Sequence, residues 1–144
     1  MKSYILAGLL SIVLAGCSNG DRAELGEFPN FSEVTGAEVE VTSNFWVDDT
    51  RSQMEGDVYL VSHASLPADY EIEKVILYQG TNVTTLSKNQ LDLDISNESL
   101  WEIHFQLNTL KLSSPIDVLV LLHNDREKAW LIDKNVSIDR VTGS

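Results

Sequence analysis

The sequence predicts an all-β domain, an antiparallel β-sandwich of seven to eight strands with immunoglobulin-like or fibronectin-III-like architecture. Three observations predict it. From Ala37 onward apolar and polar residues alternate with a period of two, the mark of strands with one buried face. The alternating stretches are short, and brief turns rich in Gly, Asp, Asn, Ser or Pro separate them. No stretch of about ten residues in this region keeps a helical i, i+3, i+4 apolar pattern without a turn signal inside it. Residues 37–144 are enough for one modest core.

Val39, Val41, Phe45 and Val47 alternate with Glu38, Glu40, Thr42 and Asn44, which makes a half-buried first strand. Strict alternation puts Trp46 on its polar face, opposite Phe45. Asp48 to Ser52 is a polar loop, and a second strand runs through Val58–Val61 after Gly56. Ser65 to Asp69 turns the chain into a third strand, Tyr70 to Gln79, ended by Gly80. Within it Val75, Ile76 and Leu77 are apolar on both sides, as in a strand covered on both faces.

Val83–Leu86 and Leu91–Ile95 are two shorter pieces. Trp101, Ile103, Phe105 and Leu107 alternate with Glu102, His104 and Gln106, the clearest one-faced strand. Asn108 to Pro115 crosses over, with Leu110 and Leu112 expected to plug one end of the core. Ile116 to Leu122 is nearly all apolar and reads as a central strand. His123 to Arg126 turns into Ala129–Ile132, with Trp130 and Ile132 expected in the core. Asp133 to Asn135 bends the chain before Val136–Val141. The Cys–Trp–Cys hallmark of true immunoglobulin domains is absent, so the analogy concerns architecture only.

Ahead of this domain the composition changes. Lys2 precedes an apolar run from Tyr4 to Gly16, broken only by Ser11, and small residues precede Cys17. This is the layout of a secretory signal peptide. The run is about 13 residues, against the ~20 needed to span a bilayer as a helix. Leu14-Ala15-Gly16-Cys17 resembles the lipobox of bacterial lipoproteins, and the chain's only cysteine falls where that motif needs it. The resemblance covers the first 17 residues. It implies that residues 1–16 are a leader removed on export and that Cys17 carries more than one acyl chain, palmitate among them. One chain alone would hold only marginally. Ser18 stands after the cysteine rather than Asp, the common inner-membrane retention signal. By the same resemblance the destination is the outer membrane, with the domain facing the periplasm.

Residues 17–36 then read as the lipidated cysteine and a flexible tether, since Ser18 to Gly36 shows neither a strand nor a helix period. Phe28 and Phe31, flanking Pro29-Asn30, leave three places open: docked on the domain, inserted at the membrane interface, or part of a partner motif.

With 10 basic and 22 acidic residues the net charge is −12, and loss of Lys2 with the leader makes it −13. Nucleic acid is excluded as a partner, because phosphate binding requires a basic surface. The same acidity argues against adhesion to anionic headgroups and leaves the acyl chains as the anchor. With Cys17 acylated, the domain holds no thiol for catalysis, redox exchange or a disulfide, so its core alone must stabilise it.

The remaining chemistry is sparse. His63, His104 and His123 stand alone on separate elements, where catalytic zinc usually takes three protein ligands. A Ser-His-Asp set has no nucleophile-elbow context. Asp92 to Glu98 imitates a calcium loop faintly, but Asn97 and Ile103 occupy the positions where an EF-hand requires Gly and Glu. No glycine-rich phosphate loop or dinucleotide fingerprint is present, so no metal and no cofactor is expected. Trp101 is expected in the core, and Trp46 on a polar face suggests a binding hot spot or a sugar-stacking platform. The sequence thus predicts a lipid-anchored, non-enzymatic accessory or assembly subunit that binds an envelope protein partner through Trp46 or the first strand. The alternative is a glycan- or peptidoglycan-binding module using Trp46 and nearby tyrosines. A hydrolase stands third, and a concave grouping of histidines with acids would raise it.

Overall fold

The computed structural model describes residues 27–48, 50–108 and 115–141. The lipobox with Cys17, residues 17–26 of the tether, and Leu110 and Leu112 lie outside the described residues. The elements are a short helix α1 (Phe31–Thr35), then β1 (Val39–Asp48), β2 (Gln53–Ser62), β3 (Glu71–Gln79) and β4 (Asn82–Ser87). A 3-10 turn (Lys88–Gln90) leads to β5 (Asp92–Asn97), β6 (Leu100–Leu107), β7 (Ile116–His123), β8 (Lys128–Val136) and β9 (Ile138–Val141). The fold is an all-β sandwich of a five-stranded sheet, β5-β6-β2-β1-β9, and a four-stranded sheet, β4-β3-β7-β8.

Nine strands are described, where the sequence predicts seven to eight, and one pair, β1 with β9, is parallel. The reason lies in the expected bend. Register slips between Ile116 and Val118, Asn135 takes a positive φ of 56°, and its N–H donates to Asp117 Oδ1 at 2.9 Å. β8 ends there in one sheet, and after Ser137 the chain enters the other sheet as β9. Strands that change sheets do so at such bends. β9 pairs only with Phe45–Asp48, so among the described residues the earlier half of β1 has no strand beside it on that side.

The core lies between the sheets and is built by alternation. β1 contributes Phe45 and Val47, β2 Met54, Val58 and Leu60, and β6 Trp101, Ile103, Phe105 and Leu107. From the other sheet come Ile72, Val75, Leu77, Val118, Val120, Leu122 and Leu131. β2 is longer than the sequence suggests because it passes through Gly56 rather than starting after it. Gly56 sits in one cross-strand row between Phe45 and Phe105, whose ring centroids are 5.7 Å apart. A Cβ there would lie 2.4 Å from Phe45 Cε1 and 2.6 Å from Phe105 Cζ. The two rings occupy the space that a side chain would need.

The part of the 17–36 segment that the structure describes, from residue 27 on, is docked on the domain, where the sequence predicts a flexible tether. Asn30 caps α1, its Oδ1 accepting from Ser32 N–H at 2.9 Å and Glu33 N–H at 3.3 Å. Gly36, at φ 74°, ends it and donates its N–H to Ser32 O. Phe31 is fully buried in the main core and meets Tyr70 edge-on, ring centroids 5.0 Å apart. Just before it the chain binds the edge of β8. Trp130 N–H donates to Pro29 O at 3.0 Å, and its indole Nε1–H donates to Phe28 O at 2.6 Å. Of the three places open to Phe28 and Phe31, the domain surface and its core are where the structure puts them.

Candidate functional site

The two outer faces of the sandwich differ sharply. On the five-stranded sheet the outward residues form cross-strand rows. Trp46 stands beside Glu55 and Gln106, and the next row holds Asn44, Asp57, His104 and Asp92. A third row holds Thr42, Tyr59, Glu102 and Asp94. Trp46 is half-buried and points to this face, opposite the buried Phe45. Its ring lies 6.5 Å from that of His104. His104 bridges two carboxylates, with Nδ1 2.7 Å from Asp57 Oδ1 and Nε2 3.5 Å from Glu55 Oε1.

Near the β1–β2 turn, Arg51 Nε is 2.8 Å from Asp48 Oδ2 and its Nη2 is 3.3 Å from Glu55 Oε2. The Thr50 hydroxyl, donating to Asp48 Oδ1 at 2.6 Å, and then Arg51 hold the Asp48 carboxyl down at about 2, from an ordinary 3.8. Burial first, then the Asp57 and Glu102 charges, raise the Tyr59 phenol above its usual range. The result is a charged field around one aromatic platform, with a groove of about 500 Å³ beside it, between Asn89–Asp92 and His104–Gln106.

Asp48 carries a pH prediction. Its folded-state pKa lies below its unfolded value, so its contribution is complete above pH 3.8 and is lost as pH falls toward about 2. Urea unfolding midpoints measured across that window should fall less steeply in Asp48→Asn than in the wild type. Equal slopes would place the lowered pKa elsewhere.

The other histidines do not join this face's centre. His63 is exposed just past the end of β2, 3.6 Å from Glu40, and His123 ends β7 in the other sheet. Among the described residues no group of three or more His, Cys, Asp and Glu is placed to hold a metal ion. Asp57–His104 resembles the base half of a hydrolytic triad. Ser43, the serine on the adjacent strand, alternates to the core side, where its Oγ is buried without a hydrogen-bond partner. What the arrangement offers chemically is recognition: a flat aromatic surface, a phenol donor and several carboxylate acceptors.

The outer face of the four-stranded sheet is apolar instead. Ile76, Tyr78 and Leu119 are at most 2% exposed there and form a cluster separate from the main core. Trp130 and Ile132 pack against them, and alternation adds Leu121, which pairs with Trp130. Trp130 and Ile132 do share a face, but it is the outer one and not the expected core. Ala129 and Leu131 fill the inner side of β8, and with both sides of the strand apolar, periodicity gives no direction. The signal for this second face was in Val75–Leu77 and Ile116–Leu122, apolar without alternation. Compared with protein-family models and with curated proteins, the chain matches none.

Proposed function

We propose that the chain is a lipid-anchored lipoprotein of the outer membrane, facing the periplasm, and that its β-sandwich acts by binding an envelope protein partner rather than by catalysis. The observation that carries the binding surface is Trp46, an aromatic side chain half-buried among Glu55, Asp57 and His104 on the outer face of the five-stranded sheet. Aromatic residues anchored among polar neighbours are where interface energy concentrates. The surrounding carboxylates favour a partner with a basic surface and would speed its encounter.

A photoreactive residue at Thr42, on the same face, should crosslink one protein in intact cells. Trp46→Ala should remove that crosslink while changing stability by no more than about 0.5 kcal/mol, as surface substitutions usually do. Loss of several kcal/mol with crosslinking intact would make Trp46 a packing residue only. The carboxylates flanking its ring also suit sugar hydroxyls, which favours glycan binding as a second reading. Quenching or a shift of Trp46 fluorescence by peptidoglycan fragments would support that reading over a protein partner.

The anchor has its own test. Cys17→Ser should abolish incorporation of radioactive palmitate and leave an uncleaved precursor, and a wild-type chain that takes up no label would end the lipoprotein reading.

A further inference from the structure

We infer that β5 is a docking edge for an extended basic segment of a protein partner, which adds to the five-stranded sheet as a further strand and sets one apolar side chain into a cavity beside β5. The inference deepens the proposed protein-binding role. It depends on neither the lipid anchor nor Trp46.

The cavity follows from where β4 stops. β4 pairs with β3 only from Lys74 to Gln79, so among the described residues the start of β3, Glu71 to Glu73, has no strand beside it on that side. After Ser87 the chain leaves as the 3-10 turn and crosses to the other sheet as β5. A cavity of about 160 Å³ lies at the corner between β3 and β5. Ile72, Leu93, Ile95, Trp101 and Tyr70 line it, and the Tyr70 hydroxyl is committed to Glu127. Exposed Lys88 and Glu71, paired at 2.7 Å, complete the lining. The corner is open to solvent, because Ile95 lines the cavity and is still 53% exposed. Apolar cavities of about 150 Å³ stay dry and hold a benzene-sized group. This one therefore suits a single leucine, isoleucine or phenylalanine side chain.

β5 supplies the rest of the site. It is the end strand of its sheet, and each of its residues except Leu93 is exposed. An antiparallel end strand turns half of its N–H and C=O groups outward, where another strand can pair with them. The ladder between β5 and β6 slips after Asp94, so an added strand takes its register from Asp92–Asp94. Its side chains would alternate between the cavity side and the outer face. On the outer face they would extend the rows Asp92–His104–Asp57 and Asp94–Glu102–Tyr59. Asp92 and Asp94 stand first in those rows, and the Ser96 hydroxyl donates to Asp94 Oδ1 at 2.8 Å. Charges on an edge turn away indiscriminate strands, whereas opposite charges across a strand pair attract. Charge and cavity together select a segment that reads basic, apolar, basic at successive positions. Strand addition of this kind takes affinity from the backbone and specificity from the pocket.

The test uses the full chain, processed in cells and purified in detergent, with a capped, fluorescein-labelled peptide Lys-Thr-Lys-Leu-Lys-Thr-Lys as the probe. Fluorescence anisotropy should show binding, and replacing the leucine by serine should weaken it about tenfold or more, the worth of one buried leucine side chain. The same peptide with glutamate in place of lysine should not bind. Hydrogen exchange of the 92–97 amides should slow when the leucine peptide is added. Ile95→Arg should erase the preference for leucine over serine, and circular dichroism reports whether that variant folds. Asp92→Lys combined with Asp94→Lys leaves the cavity intact and should move the preference to the glutamate peptide. Equal binding of the leucine and serine peptides, protection at another strand, or no binding at all would overturn the inference. The Thr42 crosslink is read separately. Peptide binding at β5 in a chain that crosslinks nothing through Thr42 keeps this edge and refutes the Trp46 surface. A Thr42 crosslink in a chain that binds no peptide keeps the protein-binding role and refutes this edge.

Discussion

Phe105→Ala should lower the stability of the domain by about 3–5 kcal/mol, the usual cost of emptying a buried aromatic site. A domain of this size has only ~5–15 kcal/mol in total, so the variant should be badly weakened at physiological temperature. The argument rests on the row it occupies. Phe105 is 2% exposed and its ring tilts at 52° to that of Phe45 across the bare backbone of Gly56. Removing one ring leaves Gly56 with no side chain to collapse into the gap, so relaxation is poor and the cost belongs at the upper end. Denaturant unfolding followed by circular dichroism measures it. An unchanged midpoint would mean that the row is not closed in solution.

Phe31→Ala should cost about as much, roughly 3–5 kcal/mol, although the residue sits in the linker between the proposed anchor and the domain. Phe31 is 0% exposed, and the edge of Tyr70 packs on it. Tyr70 is itself committed, since burial and then its hydrogen bond to Glu127 push its phenol up to about 12. The ring therefore cannot swing away to fill the gap without breaking the bond to Glu127. A chain cut at Thr35 should show a comparable loss, because it lacks both Phe31 and the capping Asn30. If either change left the unfolding midpoint in place, the linker would be dispensable to the core.

The outward direction of Trp46 and the inward direction of Phe105 were legible because their strands have one wet face and one dry face. Each alternates cleanly, and period two then fixes orientation. The same rule had nothing to work with in β3, β7 and β8. Val75–Leu77, Ile116–Leu122 and Ala129–Ile132 are apolar on both sides, so Trp130 could not be assigned to a face until β7 fixed the register. α1 escaped notice because five residues are too few for a helical period, though Asn30 followed by Glu33 carries a capping signal. Gly56 read as a strand boundary because a glycine's lack of a side chain looks the same whether it ends a strand or makes room for two rings. The parallel β1–β9 pair joins segments from opposite ends of the chain, and no local pattern encodes a pairing at that distance. Of the candidate site, Trp46 and His104 were visible singly. Their meeting depended on which strands became neighbours.

That joining of the two chain ends has a kinetic side. The Phe28–Trp130 hydrogen bond links residues 102 positions apart, and β9, the last described strand, flanks part of β1, the first described one. Contacts of such long sequence separation form late and slowly, because loop-closure entropy is lost before they reward it. A chain threaded through a membrane from its N-terminus would hold β1 open along one side until its final residues emerged. Folding would then be a single event that follows delivery, and a chain still in transit would remain slack enough to keep moving. Glu40, and Glu38 just ahead of β1, are charged and exposed beside the half of that strand that β9 does not cover, and they would discourage neighbouring chains from pairing there before and after β9 docks.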